Sequence, residues 1–238
     1  MTINYQDIGI IPYRAAWDYQ EKLFAGLMDK KLAGEKIFPG YLLFCEHPPV
    51  FTLGKSGSPE NLLINEPMLA QRGIEFYRIN RGGDITFHGP GQIVGYPILD
   101  LEQLNLGIKT YIELLEESVI LVLEEFGIKA GRLAGATGVW LDPDAPGKAR
   151  KICAIGVKAG RHITMHGFAF NVNTDLSYYQ YINPCGFTDK GVTSMEKELG
   201  GKQDIEKVKQ LLKCYLADTL GVSIFEHPQG VRFRIPEG

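Results

Sequence analysis

The run Arg81-Gly82-Gly83-Asp84-Ile85-Thr86-Phe87-His88-Gly89-Pro90-Gly91-Gln92 sets a permanent cation beside paired glycines, so bare backbone can approach a ligand while a guanidinium stays within reach. It reads as one ligand-contacting loop. Inside it, His88 carries a donor and an acceptor on one ring, which suits it either to orient the loop by hydrogen bonding or to line the bound group. A second chemistry lies with the thiols. Cys45 ends an apolar run, Cys153 lies inside one and Cys214 flanks the apolar stripe of a helix, all places where a thiol packs as a small hydrophobe. Only Cys185 sits in a turn, Asn183-Pro184-Cys185-Gly186, where proline fixes the backbone on one side and glycine frees it on the other. On context alone that fits a surface thiol before it fits a nucleophile. Lys151 opens Lys151-Ile152-Cys153-Ala154-Ile155-Gly156-Val157, apolar on both faces and so read as a buried strand. A lysine at such a strand end either snorkels to water or acts on a neighbour. Arg150 and Lys158 read as solvent-facing charges, or as cations that touch an acidic partner.

These groups need elements to position them. Apolar residues in helical spacing predict helices over Ala15 to Leu32, Thr110 to Phe126 and Asp204 to Leu220, with Gly34 and Gly127 just beyond the ends of the first two. Strands are predicted at Tyr41 to Cys45, Ile74 to Ile79, Gly138 to Leu141, Lys151 to Lys158 and Ile163 to Val172. The spacing implies an α/β (α+β) fold, a mixed, largely antiparallel β-sheet with surrounding helices, as a single domain over residues 1–238. Ala154-Ile155-Gly156 and Gly167-Phe168-Ala169 fall on adjacent predicted strands. Their small residues serve either ordinary sheet packing or a wall against which a chain can lie.

Composition removes several classes of function. A net charge of −3 and a pI near 6.0 give no basic footprint for a phosphate backbone, so nucleic acid is not an expected partner. The first residues lack a cationic and apolar leader pattern, and no stretch reaches the ~18 apolar residues of a membrane span; the expectation is a cytoplasmic protein without a membrane partner. Four widely spaced cysteines without a Cys-x-x-Cys pair argue against zinc and against a disulfide framework. His47 and His227 precede prolines, where a structural or solvated ring is expected. His162 and His166 fall four apart on a predicted strand, on one face but without the register of a metal pair.

Taken with Tyr96-Pro97, Lys151 and Asn183-Pro184-Cys185-Gly186, the Arg81 to Gln92 run resembles the lipoyl(octanoyl) transferases, a branch of the biotin/lipoate protein ligase superfamily. The similarity spans roughly Tyr41 to Ser194. It implies transfer of an octanoyl group from octanoyl-acyl carrier protein to a lysine of lipoyl domains, those of 2-oxoacid dehydrogenases and the glycine cleavage H protein, with no cofactor. It implies Cys185 as covalent nucleophile and Lys151 as its partner. It also implies substrate contact by Arg81, Gly82, Gly83, Asp84, Ile85, Thr86, Phe87 and His88, by Ala154, Ile155 and Gly156, and by Gly167, Phe168 and Ala169. Burying an eight-carbon tail against such a wall is favoured by about 0.8 kcal/mol per methylene. Two rivals remain: an ATP-dependent lipoate-protein ligase of the same superfamily, and a non-catalytic acyl- or lipoyl-binding module. Gly89-Pro90-Gly91-Gln92 and Cys185 favour the transferase over the first. The presence of both Lys151 and Cys185 argues against the second, because binding alone needs neither.

Overall fold

The computed structural model describes residues 1–35, 39–184 and 190–226. Strand β1 (Thr2–Ile10) leads into helix α1 (Tyr13–Leu32), then β2 (Gly40–Glu46), β3 (Val50–Leu53), the short α2 (Glu66–Gln71), β4 (Glu75–Arg78), β5 (Ile85–His88) and β6 (Gln92–Leu99). Helix α3 (Ile108–Glu125) precedes β7 (Gly131–Leu133), β8 (Ala136–Leu141), β9 (Arg150–Gly160) and β10 (Ile163–Asn171). The described chain closes with β11 (Gly191–Val192), α4 (Met195–Leu199), α5 (Ile205–Leu220) and β12 (Ser223–Glu226).

The large sheet runs β12-β1-β2-β6-β10-β9-β8-β7, with β11 paired to β9, and a small sheet runs β4-β3-β5. Pairings from β2 through β6, β10, β9 and β8 to β7 are antiparallel, while β12, β1 and β11 add parallel edges. The sheet is therefore mixed with an antiparallel centre, as the strand spacing predicts. Helices α3 and α5 cover one face through Leu115, Val119, Val208 and Leu212, and α1 covers the other through Ala16 and Leu27. Each predicted long helix forms to within two residues of its expected start. In α5, Asp204 is the cap, accepting hydrogen bonds from the Glu206 and Lys207 amides, and Gly221 ends the helix at φ +64°.

The sequence hides β6, because glycine and proline both interrupt it. All eight of its residues are buried. Gly95 works because a row of side chains crosses the sheet there: Phe44 on β2 and Phe168 on β10 both face Gly95, and their rings meet over it with centroids 6.1 Å apart. Pro97 has no amide hydrogen to give, and ladder pairing of β6 with β10 covers only Gln92 to Gly95. Beyond that point Thr164 substitutes a side chain for the ladder: its Oγ1 donates to Pro97 O at 2.8 Å and accepts from Leu99 N at 3.0 Å. In the same stretch His166 adopts φ +62°.

Three expectations change. Arg81 to Gln92 is not one loop, since Ile85–His88 is a strand of the small sheet and only its flanks turn. Cys214 is exposed rather than sheltered, because the apolar stripe of α5 runs through Val208, Leu212 and Leu216 and leaves it on the outer side. His162 is not on a strand. It shares the tight β9–β10 turn with Arg161, at φ +67° and +48°, the double left-handed geometry of a two-residue hairpin, so it does not share a face with His166.

A methyl group on Gly95 would run into the Phe168 ring. Gly95→Ala is expected to lower unfolding free energy by about 1–3 kcal/mol, measured by urea denaturation, and an unchanged midpoint would contradict the packing described.

Candidate active site

Beside β9 lies a cavity of about 440 Å³, bounded by β9, β10, the turn before β5 and the chain on either side of residues 185–189. That volume falls within the usual range for small-molecule sites, about 300–1,000 Å³. Its wall is the pair of small-residue runs in register: Ala154 opposite Ala169, Ile155 opposite Phe168, Gly156 opposite Gly167. The runs line the cavity, and Phe168 and Ile155 also pack into the core under α3 and α5.

The turn before β5 is pinned to this wall by backbone. Gly82 N donates to Val157 O at 2.9 Å, and a Cβ on Gly156 would sit 2.7 Å from Gly82 O. Gly82 and Gly156 therefore lack side chains because two backbones meet, whereas Gly83 stands at φ +84°, a conformation that favours glycine. Arg81 is buried, and donates to Thr52 O at 2.7 Å, Thr52 Oγ1 at 3.0 Å and Gly82 O at 2.9 Å. Of the predicted contact residues, Arg81 to Thr86 and His88 line the cavity. Phe87 turns away into the small sheet's core, stacked on Tyr178 at 4.5 Å.

His88 both holds the fold and lines the site. Gln92 Nε2 donates to Phe87 O and Asn171 Oδ1, which leaves Gln92 Oε1 to accept from His88 Nδ1 at 2.9 Å. His88 Nε2 is then the acceptor facing Thr52 Oγ1 at 3.3 Å. His47, read as structural or solvated, is structural: fully buried, with Nδ1 2.7 Å from Ile11 O and Nε2 2.7 Å from Tyr96 OH. Burial pushes His47 down to about 4 and His166 to about 3, the latter helped by the charges of Arg81 and Lys158. His88 is held well below its usual value by burial and by His47. All three rings are neutral at neutral pH.

At the other end, the Lys151 ammonium stands 4.7 Å from the centre of the Trp140 ring. Val192 on β11 is the parallel neighbour of Lys151, and Thr193 N donates to Lys151 O at 2.9 Å. Pro184, Lys190 and Lys151 line the same cavity. Cys185 and Gly186 lie outside the described residues, as does His227. Arg150 is not solvent-facing: it pairs with Asp142 and with Glu198. Lys158 is likewise tied, 3.6 Å from Glu21 and over the Phe24 ring. Sequence reasoning missed Tyr13, Thr52, Trp140, Asn171 and Tyr179. They come from elements far apart in the chain, and no local pattern marks them.

Among the described residues no group of three His, Cys, Asp or Glu side chains is placed to hold a metal ion, and no helix is long and apolar enough to cross a membrane. Residues 12–217 match the family described as the lipoyl protein ligase A/B catalytic domain. An octanoyltransferase of Parabacteroides distasonis is 59% identical over 89% of this chain and 96% of its own length. One of Flavobacterium johnsoniae is 57% identical, with 90% and 94% covered. Among solved structures, a lipoate-protein ligase A bound with ATP superposes with TM-score 0.74 at 16% identity, over 98% of this chain and 91% of that one. A bi-partite lipoate protein ligase from Thermoplasma acidophilum gives 0.73 at 16% identity, with 98% and 89% covered. At that identity the likeness concerns the fold.

The buried histidines set a pH dependence of stability. Below their ordinary value of 6.5 the unfolded chain takes up protons that the folded chain refuses until about 4 for His47 and about 3 for His166. Stability is thus present above pH 6.5 and falls as pH drops, by about 1.4 kcal/mol per pH unit for each ring. Urea denaturation between pH 7 and pH 5 should show this slope, and His47→Gln should reduce it by one proton's worth. A flat profile would mean the rings are charged in the folded protein.

Proposed function

This chain belongs to the lipoyl protein ligase A/B catalytic family and within it to the octanoyltransferases, and on that premise we propose that it works in two steps through a thioester on Cys185. The Cys185 thiolate attacks the carbonyl of octanoyl-acyl carrier protein; a C–S bond forms to Cys185, and the carrier's C–S bond breaks to release its thiol. The ε-amine of a lipoyl-domain lysine then attacks the acyl-cysteine, forming an amide and returning the Cys185 thiol. Residues 1–238 act as one catalytic domain, and the reaction needs no cofactor.

The observation that supports this reading most directly is that Lys151 shares one cavity with Pro184 and Lys190, which flank the turn holding Cys185. An ammonium beside a thiol favours the thiolate below the free-cysteine value of about 8.5. Lys151 receives the thiol proton in the first step, gives it to the departing carrier thiol, and accepts one from the incoming amine in the second. Trp140 holds that ammonium over its ring. The octanoyl chain lies along Ala154 to Gly156 and Gly167 to Ala169, with Arg81 and His88 at its far side. Acceptors are the lipoyl domains of 2-oxoacid dehydrogenases and the glycine cleavage H protein. The setting is the cytoplasm.

Octanoylation of a lipoyl domain from octanoyl-acyl carrier protein should proceed without ATP and stop in Cys185→Ala; a strict ATP requirement would establish the ligase reading instead. Lys151→Arg keeps a charge but cannot exchange a proton at neutral pH, so turnover should fall by about 10²-fold or more. In Lys151→Ala the pH profile for alkylation of Cys185 by iodoacetamide should move upward, and an unmoved profile would refute the coupling.

A further inference from the structure

The cavity ends opposite Lys151 at His166, a residue with no part in the two-step reading. Its geometry is unusual for a strand. At φ +62° it departs from the extended conformation, and its amide is taken up by Gln20 Oε1 of α1 at 3.1 Å instead of by a β6 carbonyl. A non-glycine residue in that region carries strain, which the packing of α1 and Asn80 holds in place. His166 Nε2 lies 2.8 Å from Asn80 Oδ1, and Asn80 Nδ2 turns toward Glu21, so the imidazole donates through Nε2. That leaves Nδ1 a lone-pair acceptor. It is buried and without a hydrogen-bond partner, on a ring that is 2% exposed and lines the cavity.

Distance makes this nitrogen relevant to the acyl chain. His166 pairs with Val157, and six residue steps of β9 separate Val157 from Lys151, about 20 Å along the strand. An extended eight-carbon chain has seven bonds of about 1.5 Å, so it covers at most about 10 Å. Part of the remainder belongs to the Lys151 side chain itself. An octanoyl tail held near Lys151 stops short of the His166 ring, and every added methylene closes on it. Nδ1 is buried before any chain arrives, so a saturated chain that reaches it leaves the acceptor unsatisfied, whereas a chain ending in a hydroxyl supplies the missing donor.

Resting on the two-step reading above, we propose that His166 is the specificity-determining end of the acyl site: it limits unsubstituted chains and, among longer acyl groups, selects those whose far end donates a hydrogen bond. The gap between the two kinds of chain is a matter of one buried hydrogen bond.

The test is single-turnover acylation of the full chain by carrier protein loaded with octanoyl, decanoyl or ω-hydroxydecanoyl groups, followed by intact mass. In the unaltered protein ω-hydroxydecanoyl should load about tenfold faster than decanoyl. His166→Gly suits the left-handed backbone and removes the acceptor, so decanoyl loading should rise and the gap should close. Melting temperature confirms that the variant is folded, and the comparison in the unaltered protein needs no variant. Decanoyl loading as fast as ω-hydroxydecanoyl in the unaltered protein overturns the proposal, as does a gap that persists in folded His166→Gly. A failure to load even octanoyl would instead strike the thioester reading.

Discussion

The site depends on one main-chain contact, the hydrogen bond from Gly82 N to Val157 O at 2.9 Å. It joins the turn that leads into the small sheet to the middle of the large one, and it exists because neither Gly82 nor Gly156 has a side chain to keep the backbones apart. Arg81 is carried in by that contact, and its guanidinium then reaches Thr52 on β3, the central strand of the small sheet. That joint closes the cavity over the small-residue stretch of β9 and β10.

Strand β9 gives the arrangement its scale. Lys151, the small-residue wall and the acceptor for Gly82 all belong to it, so their spacing is set by strand geometry rather than by loops. The two ends of the cavity differ in character. At one, the Lys151 ammonium stands over the Trp140 ring. At the other, the neutral rings of His88 and His166 lie near the Arg81 guanidinium, which donates to backbone and hydroxyl oxygens, and burial keeps those rings from charging beside it.

The long helices were legible because each repeats one period over many residues, and β9 because its run is apolar on both faces, so that Lys151 with the small residues beside it followed from that strand. The glycine run announced a close backbone approach, yet the approach turned out to be to β9. Strand β6 was not legible, since Gly95 and Pro97 break the strand pattern and are tolerated only through Phe168 and Thr164, residues some seventy positions away. The role of His166 was concealed for a related reason. Its conformation depends on Gln20 and Asn80, and the local sequence offers only an apparent four-residue spacing from His162. Cys214 illustrates the limit of periodicity, because a residue beside an apolar stripe lies one step of rotation from solvent.

The central claim is that the acyl group passes through Cys185. Intact mass spectrometry of the chain mixed with octanoyl-acyl carrier protein in the absence of ATP tests it directly. The account predicts a gain of one octanoyl group, released by hydroxylamine, mapped to Cys185 and absent from Cys185→Ala. A Cys185→Ala protein that still octanoylates lipoyl domains at the normal rate would contradict it.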